Sequence, residues 1–138
     1  MIEFRLDGIV PSKKNSRSLF MRDGAQQNVP SAKYAKWHKA TWLELQPQIK
    51  GLSTPIAVEP LYIAYFFTMP DYTRRDLSNM IQSIEDLLKD MNVITDDAWK
   101  YLQIAGVLAV LEKGTSGVVF AIEDELEPLQ KWLLTHKK

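Results

Sequence analysis

The clearest hydrophobic pattern of the chain lies between residues 77 and 91. Apolar side chains recur there every three or four positions, at Leu77, Met80, Ile81, Ile84, Leu87, Leu88 and Met91. This spacing is that of one face of an α-helix. We therefore predict an amphipathic helix that Asn92 ends and that begins near Asp76, which together with Thr73 resembles a capping box.

Aromatic and β-branched side chains, which favour strands, concentrate in residues 2–10, 57–69, 101–111 and 117–122. Two further helices are predicted, one from an N-cap at Ser31 to about Gln46 and a short one over residues 127–135. The polar, basic segment 11–30 has a turn signal at Asp23-Gly24 and is predicted to be a loop. The order β-α-β-α-β-β predicts an α/β or α+β fold with helices packed on a small mixed sheet, as a single domain over residues 1–138.

Length and composition limit the kinds of protein that this chain can be. Its 138 residues suffice for one hydrophobic core, and no apolar stretch is long enough to span a bilayer, so we expect no membrane partner. The sequence has no cysteine, which excludes disulfides and thiolate metal sites and favours a reducing cytoplasm. With only two histidines, a bound metal would be held mainly by oxygen atoms, as Mg²⁺, Mn²⁺ or Ca²⁺ is.

The net charge of zero conceals an uneven distribution of charged residues. Between residues 11 and 40 there are seven basic side chains against one acidic, and between residues 71 and 97 there are seven acidic against three basic. A basic segment that binds phosphates and an acidic segment that binds a cation are what a metal-dependent nuclease needs. Solvated faces whose charges cancel would give the same counts, so the charge pattern alone leaves both interpretations open.

Four aspartates are the candidate chemical groups: Asp76, Asp86, Asp96 and Asp97. Clustered carboxylates can hold hard cations, which activate water and stabilise the charge that develops in phosphodiester hydrolysis. A helix of about 15 residues is about 22 Å long, so its two ends converge on one ion only if the following chain doubles back. If these aspartates form one metal site, Asp76, Asp86 and Asp97 should lie within reach of a common cation, in one subunit or across a dimer. The alternative is that Asp76 caps the helix while Asp96-Asp97 makes a turn or begins the next strand.

Three motifs occur in order along the chain. They are Pro11-Ser12-Lys13-Lys14-Asn15-Ser16-Arg17, then Pro30-Ser31-Ala32-Lys33-Tyr34-Ala35-Lys36-Trp37, then Arg74-Arg75-Asp76-Leu77-Ser78-Asn79 followed by Val93-Ile94-Thr95-Asp96-Asp97. Together they resemble the signature of the RusA family of Holliday junction resolvases, over about residues 4–110. The resemblance implies a small magnesium-dependent endonuclease, active also with Mn²⁺, that cuts four-way DNA junctions in recombination and repair.

Carried over position by position, the resemblance implies catalytic roles for Asp76, Asp96 and Asp97. It implies metal ligation by these three residues and by Asp86, a frequent aspartate of the family at the middle of the helix. These roles come from the resemblance and not from the spacing of the residues.

The chain departs from the family pattern at two positions. Ser78 replaces a second catalytic aspartate, and Gln82 replaces a catalytic lysine four residues further along the same helix face. Three interpretations follow. The chain is a divergent active nuclease, in which Asp86 or Glu85 supplies the missing charge, or a protein that binds junctions and cuts them poorly or not at all, or a protein that has acquired another role.

The candidate DNA contacts are the basic residues of the motifs, Lys13, Lys14, Arg17, Arg74 and Arg75. They would neutralise phosphates and give a salt-sensitive affinity. A four-way junction is nearly symmetric and needs two active sites, and the resemblance implies a homodimer. The apolar face of residues 77–91 and the strand 61–67 are the candidate interfaces.

Aromatic side chains near these motifs have two interpretations. Tyr34 and Trp37 alternate with Lys33 and Lys36 at helical spacing, which would allow the rings to stack on exposed bases. We favour burial of both rings, with the lysines solvated. Trp99 follows the Asp96-Asp97 pair, and its burial is also expected.

Overall fold

The computed structural model describes residues 1–12, 17–22, 25–30 and 32–136. In chain order its elements are β1 (Ile2–Asp7), β2 (Arg17–Arg22), β3 (Ala25–Pro30), α1 (Ala32–Ile49), β4 (Leu61–Met69), α2 (Leu77–Asp90), β5 (Leu102–Leu111), β6 (Gly117–Glu123) and α3 (Leu126–His136). The fold is α+β, with helices and a mixed sheet, as the sequence predicts. None of the helices in these ranges is long and apolar enough to cross a membrane.

Four strands form the main sheet in the order β1-β6-β4-β5. β4 is parallel to β5 and antiparallel to β6, and β1 pairs antiparallel with β6. The apolar run of β4 reflects burial of both of its faces, since every residue from Ile63 to Phe67 is buried. The β4–β5 register shifts between Ile63 and Ala64, which leaves Ala105 as an extra residue in β5.

One face of the sheet carries the larger part of the core. The rings of Phe4, Tyr65 and Phe120 contact one another there, and the predicted apolar stripe of α2, including Ile84 and Leu87, is buried against them. Each such aliphatic side chain contributes about 1.5–3 kcal/mol on burial, which is what fixes α2 on the sheet. The assignment of this helix face and of strand 61–67 to a dimer interface is wrong, because both are buried within one subunit.

α3 covers the opposite face of the sheet. Its Leu133 is buried against Phe66 of β4, and its Trp132 donates a hydrogen bond from Nε1 to Glu3 Oε1 at 2.8 Å. A Cβ atom at Gly106 of β5 would lie 2.8 Å from Leu133 Cδ2. A side chain at this position would therefore have to displace the end of the Leu133 side chain.

The segment 11–30 differs from its prediction as a loop, because β2 and β3 pair antiparallel in a separate two-stranded sheet. Neither strand alternates strictly between apolar and polar residues, so the usual sequence signal of a half-buried strand is missing. Asp23-Gly24, a dipeptide typical of hairpin turns, stands between the two strands in the sequence and lies outside the described residues.

α1 continues to Ile49, past the predicted end near Gln46, and includes Pro47. Proline has no N–H for the carbonyl of Leu43 four residues earlier. Leu43 is exposed, so water can bind this carbonyl and the helix can continue. The predicted N-cap, Ser31, lies outside the described residues.

Candidate functional site

Three aspartates surround Lys89 where α2 ends, and we call Asp86, Lys89, Asp96 and Asp97 the aspartate–lysine cluster. The Lys89 Nζ lies 3.5 Å from Asp86 Oδ1, 3.8 Å from Asp96 Oδ1 and 3.3 Å from Asp97 Oδ1. Asp86 and Lys89 lie on the same side of α2 because they are three residues apart. Three of the four aspartates identified in the sequence therefore lie together.

The chain after α2 folds back, which is how the Asp96-Asp97 pair reaches the cluster. Asn92 has φ 58°, and the Val93 N–H donates to the carbonyl of Leu88 at 2.9 Å. Val93 and Ile94 are then buried in the core and anchor the turn. The Asp96-Asp97 pair lies in the loop that follows, as the turn of the alternative prediction has it, and does not begin β5.

A buried carboxyl group lies beside the cluster. Glu85 is 8% exposed, and the Tyr65 hydroxyl donates to its Oε2 at 2.9 Å. Burial raises the pKa of Glu85 to about 7, and the charges of Asp97 and Asp86 add to this rise while the Tyr65 hydrogen bond opposes it. Burial, and then the charge of Glu85, raise the pKa of Tyr65 well above its usual value, so the hydroxyl remains a donor. Glu85 can therefore gain or lose a proton near neutral pH, as a general acid or base must.

Lys89 is held as a cation by its neighbours. Burial lowers its pKa, but the charge and hydrogen bond of Asp97 and the charges of Asp86 and Asp96 outweigh burial, so the pKa is raised. Carboxylate oxygens are ligands that Mg²⁺ and Mn²⁺ prefer, so the donor chemistry fits such an ion. The described residues nevertheless contain no group of three His, Cys, Asp or Glu side chains placed to hold a metal. A divalent cation among these three carboxylates would have to displace the Lys89 ammonium.

Asp76 lies at the opposite end of α2. It is the N-cap, which confirms the alternative prediction that Asp76 caps the helix, and Thr73 is not; its Oδ1 accepts the backbone N–H groups of Ser78 at 2.9 Å and Asn79 at 3.4 Å. Asp86 follows ten residues later in the sequence, which corresponds to about 15 Å along the helix axis. Within one subunit, therefore, Asp76 does not share a cation with the aspartate–lysine cluster.

Basic side chains line a pocket of about 430 Å³ at the Asp76 end of α2. We call it the arginine pocket, after its polar lining residues Ser12, Lys33, Arg74, Arg75 and Asp76. Arg75 Nη1 binds Asp71 Oδ1 at 2.8 Å, and this hydrogen bond is the main reason why the pKa of Asp71 is lowered to about 2. Arg74 and Lys33 have no acidic partner within the described residues. The pocket can therefore bind a phosphate group.

The other residues singled out in the sequence are Lys13, Lys14, Arg17, Ser78 and Gln82. Lys13 and Lys14 lie outside the described residues, and Arg17 begins β2, of which only the backbone is described. Ser78 and Gln82 are exposed on α2. Neither supplies the carboxylate or the amine that the family pattern has at its position.

The aromatic residues of the motifs divide between core and surface. Tyr34 is buried and Trp37 packs against the core while Lys33 and Lys36 are exposed, which confirms the favoured interpretation. The expected burial of Trp99 is wrong, because its side chain is 78% exposed. Trp99 lies in a turn in front of β5 that directs its ring into solvent.

Sequence reasoning assigned no role to Tyr65 or Lys89 and named Glu85 only as a source of missing charge. The signal for Glu85 is its position, four residues after Ile81 and three before Leu88, which places a carboxyl group next to the apolar stripe. No comparable signal identifies Tyr65, because its partner is 20 residues away in the sequence.

A comparison with protein-family models finds no match to this chain, and a comparison with curated protein sequences finds none either. Any function for the chain must therefore be argued from its motifs and its side-chain geometry.

Proposed function

We propose that the chain is an endodeoxyribonuclease that cuts branched DNA, in particular four-way junctions, by metal-assisted phosphodiester hydrolysis. The observation that carries this proposal is the aspartate–lysine cluster with Glu85 beside it. Three carboxylates there supply cation ligands, and a carboxyl group with a pKa of about 7 supplies a proton acceptor. The order of the RusA-like motifs supports the same chemistry, and the lack of cysteine supports a cytoplasmic location.

Asp86, Asp96 and Asp97 would hold Mg²⁺ or Mn²⁺ after the Lys89 side chain has moved aside. The ion held by these carboxylates would supply activation of a water molecule and compensation of negative charge on the phosphate. The four-carbon chain of Lys89 is flexible, so its ammonium group can turn from the carboxylates to the phosphate. In that position Lys89 would stabilise negative charge on the phosphate. It would thus take the place of the family's lysine, which is replaced by Gln82 in this chain.

Glu85 is the proton acceptor of the proposed site. With a pKa of about 7 it is partly ionised at neutral pH and can take up a proton that an attacking water releases. The hydrogen bond from Tyr65 fixes one carboxyl oxygen at 2.9 Å and so holds the group in one orientation. Tyr65 therefore acts as a positioning residue.

The arginine pocket is proposed to hold the DNA backbone at a distance from the cut. α2 has 14 residues and is therefore about 21 Å long. Phosphates of one DNA strand follow each other at about 3.4 Å along the duplex axis, so this length corresponds to about six nucleotides. Arg74 and Lys33 would therefore contact a phosphate about six nucleotides from the phosphate that lies at the cluster. The proposal includes a homodimer, because symmetric cutting of a junction needs two such sites.

Cleavage of a synthetic four-way junction in Mg²⁺ tests this proposal. The wild-type protein should cut, and Asp97→Asn should reduce the rate about 10²-fold or more because a metal ligand is weakened. Asp7→Asn is the matched control, since Asp7 is an exposed aspartate on β1 and should cut normally. Cutting that survives both Asp97→Asn and Asp86→Asn would exclude the cluster as the active site.

Asp76→Asn tests whether the active site is the aspartate–lysine cluster or the aspartate that matches the family's first catalytic residue. Asparagine caps helices as well as aspartate does, so the variant should fold. If the cluster is the active site, Asp76→Asn retains cleavage at saturating DNA. Loss of cleavage in this variant would instead assign Asp76 the catalytic role that the resemblance implies.

A second candidate function is binding of DNA junctions without cleavage. The observation in its favour is that Lys89 already neutralises part of the cluster, while Ser78 and Gln82 offer no alternative ligand or cation. It predicts salt-sensitive junction binding that Arg74→Gln weakens, with no cleavage in either Mg²⁺ or Mn²⁺.

A further inference from the structure

β5 is the open edge of the main sheet. It pairs with β4 on one side, and among the described residues no other element forms hydrogen bonds with the backbone of its outer side. Two further hydrogen bonds join the start of this strand to the turn in front of it: the Leu102 N–H donates to the Ala98 carbonyl at 3.0 Å, and the Gln103 side chain donates to the Trp99 carbonyl at 3.2 Å. Outward N–H and C=O groups of an edge strand can pair with a strand of another chain.

β1, at the opposite edge, is protected. The Gln48 side chain of α1 accepts the Arg5 N–H at 2.8 Å and donates to the Arg5 carbonyl at 2.8 Å, much as a neighbouring strand would. Glu44 accepts the Asp7 N–H at 2.7 Å. Side chains of α1 therefore occupy three backbone groups of this edge strand, whereas no element occupies the outer side of β5 among the described residues.

The composition of β5 is also unusual for an open edge. Its ten residues include no charged residue and no proline, which are the common devices against edge pairing. Two of its large apolar side chains are well exposed, Ile104 at 51% and Leu111 at 44%. The extra residue at Ala105 interrupts the first half of the strand, so the regular part that is open to pairing is residues 106–111.

We propose that β5 pairs antiparallel with β5 of a second copy of this chain, about a two-fold axis at Ala109. A two-fold contact places the same patch on both sides, so the patch must be compatible with itself. An uncharged strand meets this condition, whereas a charged strand would oppose like charges. The proposal rests on β5 alone and holds whether or not the protein cuts DNA.

The position of the axis follows from the side-chain pattern of β5. Val107 packs on the α2 side of the sheet, and Leu108 and Val110 pack on the α3 side. Centring the pair on Ala109 sets Leu108 opposite Val110 of the second copy and Val107 opposite Leu111, so that each pair lies on one face.

The same register is also compatible with the charges that follow β5. Glu112 would lie opposite Gly106 of the second copy, and Lys113 opposite Ala105. No like charges then oppose each other, and the extra residue at Ala105 lies outside the paired stretch 107–111. Two four-stranded sheets would form one sheet of eight strands, a size that open sheets reach.

Charge substitution at Ala109 tests the pairing. Ala109 is exposed, so Ala109→Lys and Ala109→Asp should leave the fold intact, as circular dichroism can verify. The wild-type protein should have a mass near twice 15.9 kDa by light scattering, without DNA. Either variant alone should weaken the dimer about fivefold or more, because like charges meet at the axis. An equal mixture of the two variants should restore it.

Cross-linking locates the contact independently. The chain has no cysteine, so Ala109→Cys introduces a single thiol that should form a disulfide between two copies on mild oxidation. Ala57→Cys, at an exposed loop position, is the control and should cross-link little. A monomeric wild-type protein at all concentrations, a dimer that tolerates Ala109→Lys, or equal cross-linking at both positions would overturn the proposal. None of these results depends on DNA cleavage. A protein that dimerises through β5 but does not cut DNA would therefore contradict the nuclease proposal alone.

Discussion

The buried carboxyl group of Glu85 makes the stability of this protein dependent on pH, and Glu85→Gln isolates its contribution. Glutamine has nearly the same shape and does not ionise, and its side-chain oxygen can still accept the Tyr65 hydroxyl that Glu85 accepts at 2.9 Å. The variant therefore removes the titration while it keeps the packing and the hydrogen bond. Its stability relative to the wild type should change sharply between acidic and alkaline conditions.

The magnitude follows from the two pKa values of this group. Glu85 has a pKa of about 7 in the folded protein against 4.5 as its ordinary value. The folded protein thus binds the proton more tightly than the unfolded chain does, so its stability falls as the pH rises from about 4.5 to 7 and is constant above. At about 1.4 kcal/mol for each pKa unit, the loss is about 3 kcal/mol. At pH 8, Glu85→Gln should therefore be more stable than the wild type by up to about 3 kcal/mol, and near pH 4.5 the two should be nearly equal.

Urea unfolding followed by the fluorescence of the four tryptophans measures this difference at pH 5 and pH 8. The comparison with the wild type cancels the titration of all other groups. Glu112→Gln, which removes an exposed carboxyl group after β5, is the matched control and should follow the wild type at both pH values. The reasoning is refuted if Glu85→Gln loses as much stability as the wild type between pH 5 and pH 8.

Three further substitutions test separate contacts. Tyr65→Phe removes the hydrogen-bond donor of Glu85 and should lower the free energy of unfolding by about 1–3 kcal/mol at pH 8 and by less at pH 5; urea unfolding that shows no loss would mean that the bond does not form. Lys89→Met frees the three carboxylates around it, so excess Mg²⁺ should raise the melting temperature of the variant more than that of the wild type. Equal shifts would show that Lys89 does not compete with the metal. Gly106→Ala places a Cβ 2.8 Å from Leu133 Cδ2, the end of a side chain that can shift, so thermal or urea unfolding should change by about 1 kcal/mol or less; a larger loss would mean that Leu133 cannot move aside.

The elements that the sequence predicts well are those whose own residues carry the signal. The stripe from Leu77 to Met91 predicts α2 because one helix face is buried along its whole length. The strands β5 and β6 likewise follow from their apolar runs. The sequence does not predict the hairpin of β2 and β3. Its two strands pair through backbone hydrogen bonds, and their residues do not alternate between apolar and polar.

The candidate site is predicted only in part, for reasons of distance. The sequence indicates Asp86 and the Asp96-Asp97 pair, but that they meet depends on the left-handed turn at Asn92 and on core anchors after it. Asp76 carries the strongest motif and yet lies about 15 Å away along the helix axis. The Tyr65–Glu85 pair joins β4 to α2, and no local pattern encodes a contact between two elements.

The Gln48 side chain of α1, which closes the β1 edge, also sets a limit on assembly. A sheet with two open edges can add chain after chain and grow into a fibre. Here one edge is already closed by the protein's own side chains, and pairing about a two-fold axis consumes the other in both copies. Growth of the sheet would therefore end at two chains. Removal of the Gln48 amide would expose the Arg5 backbone groups for pairing, so Gln48, together with Glu44 at Asp7, guards the protein against polymerisation.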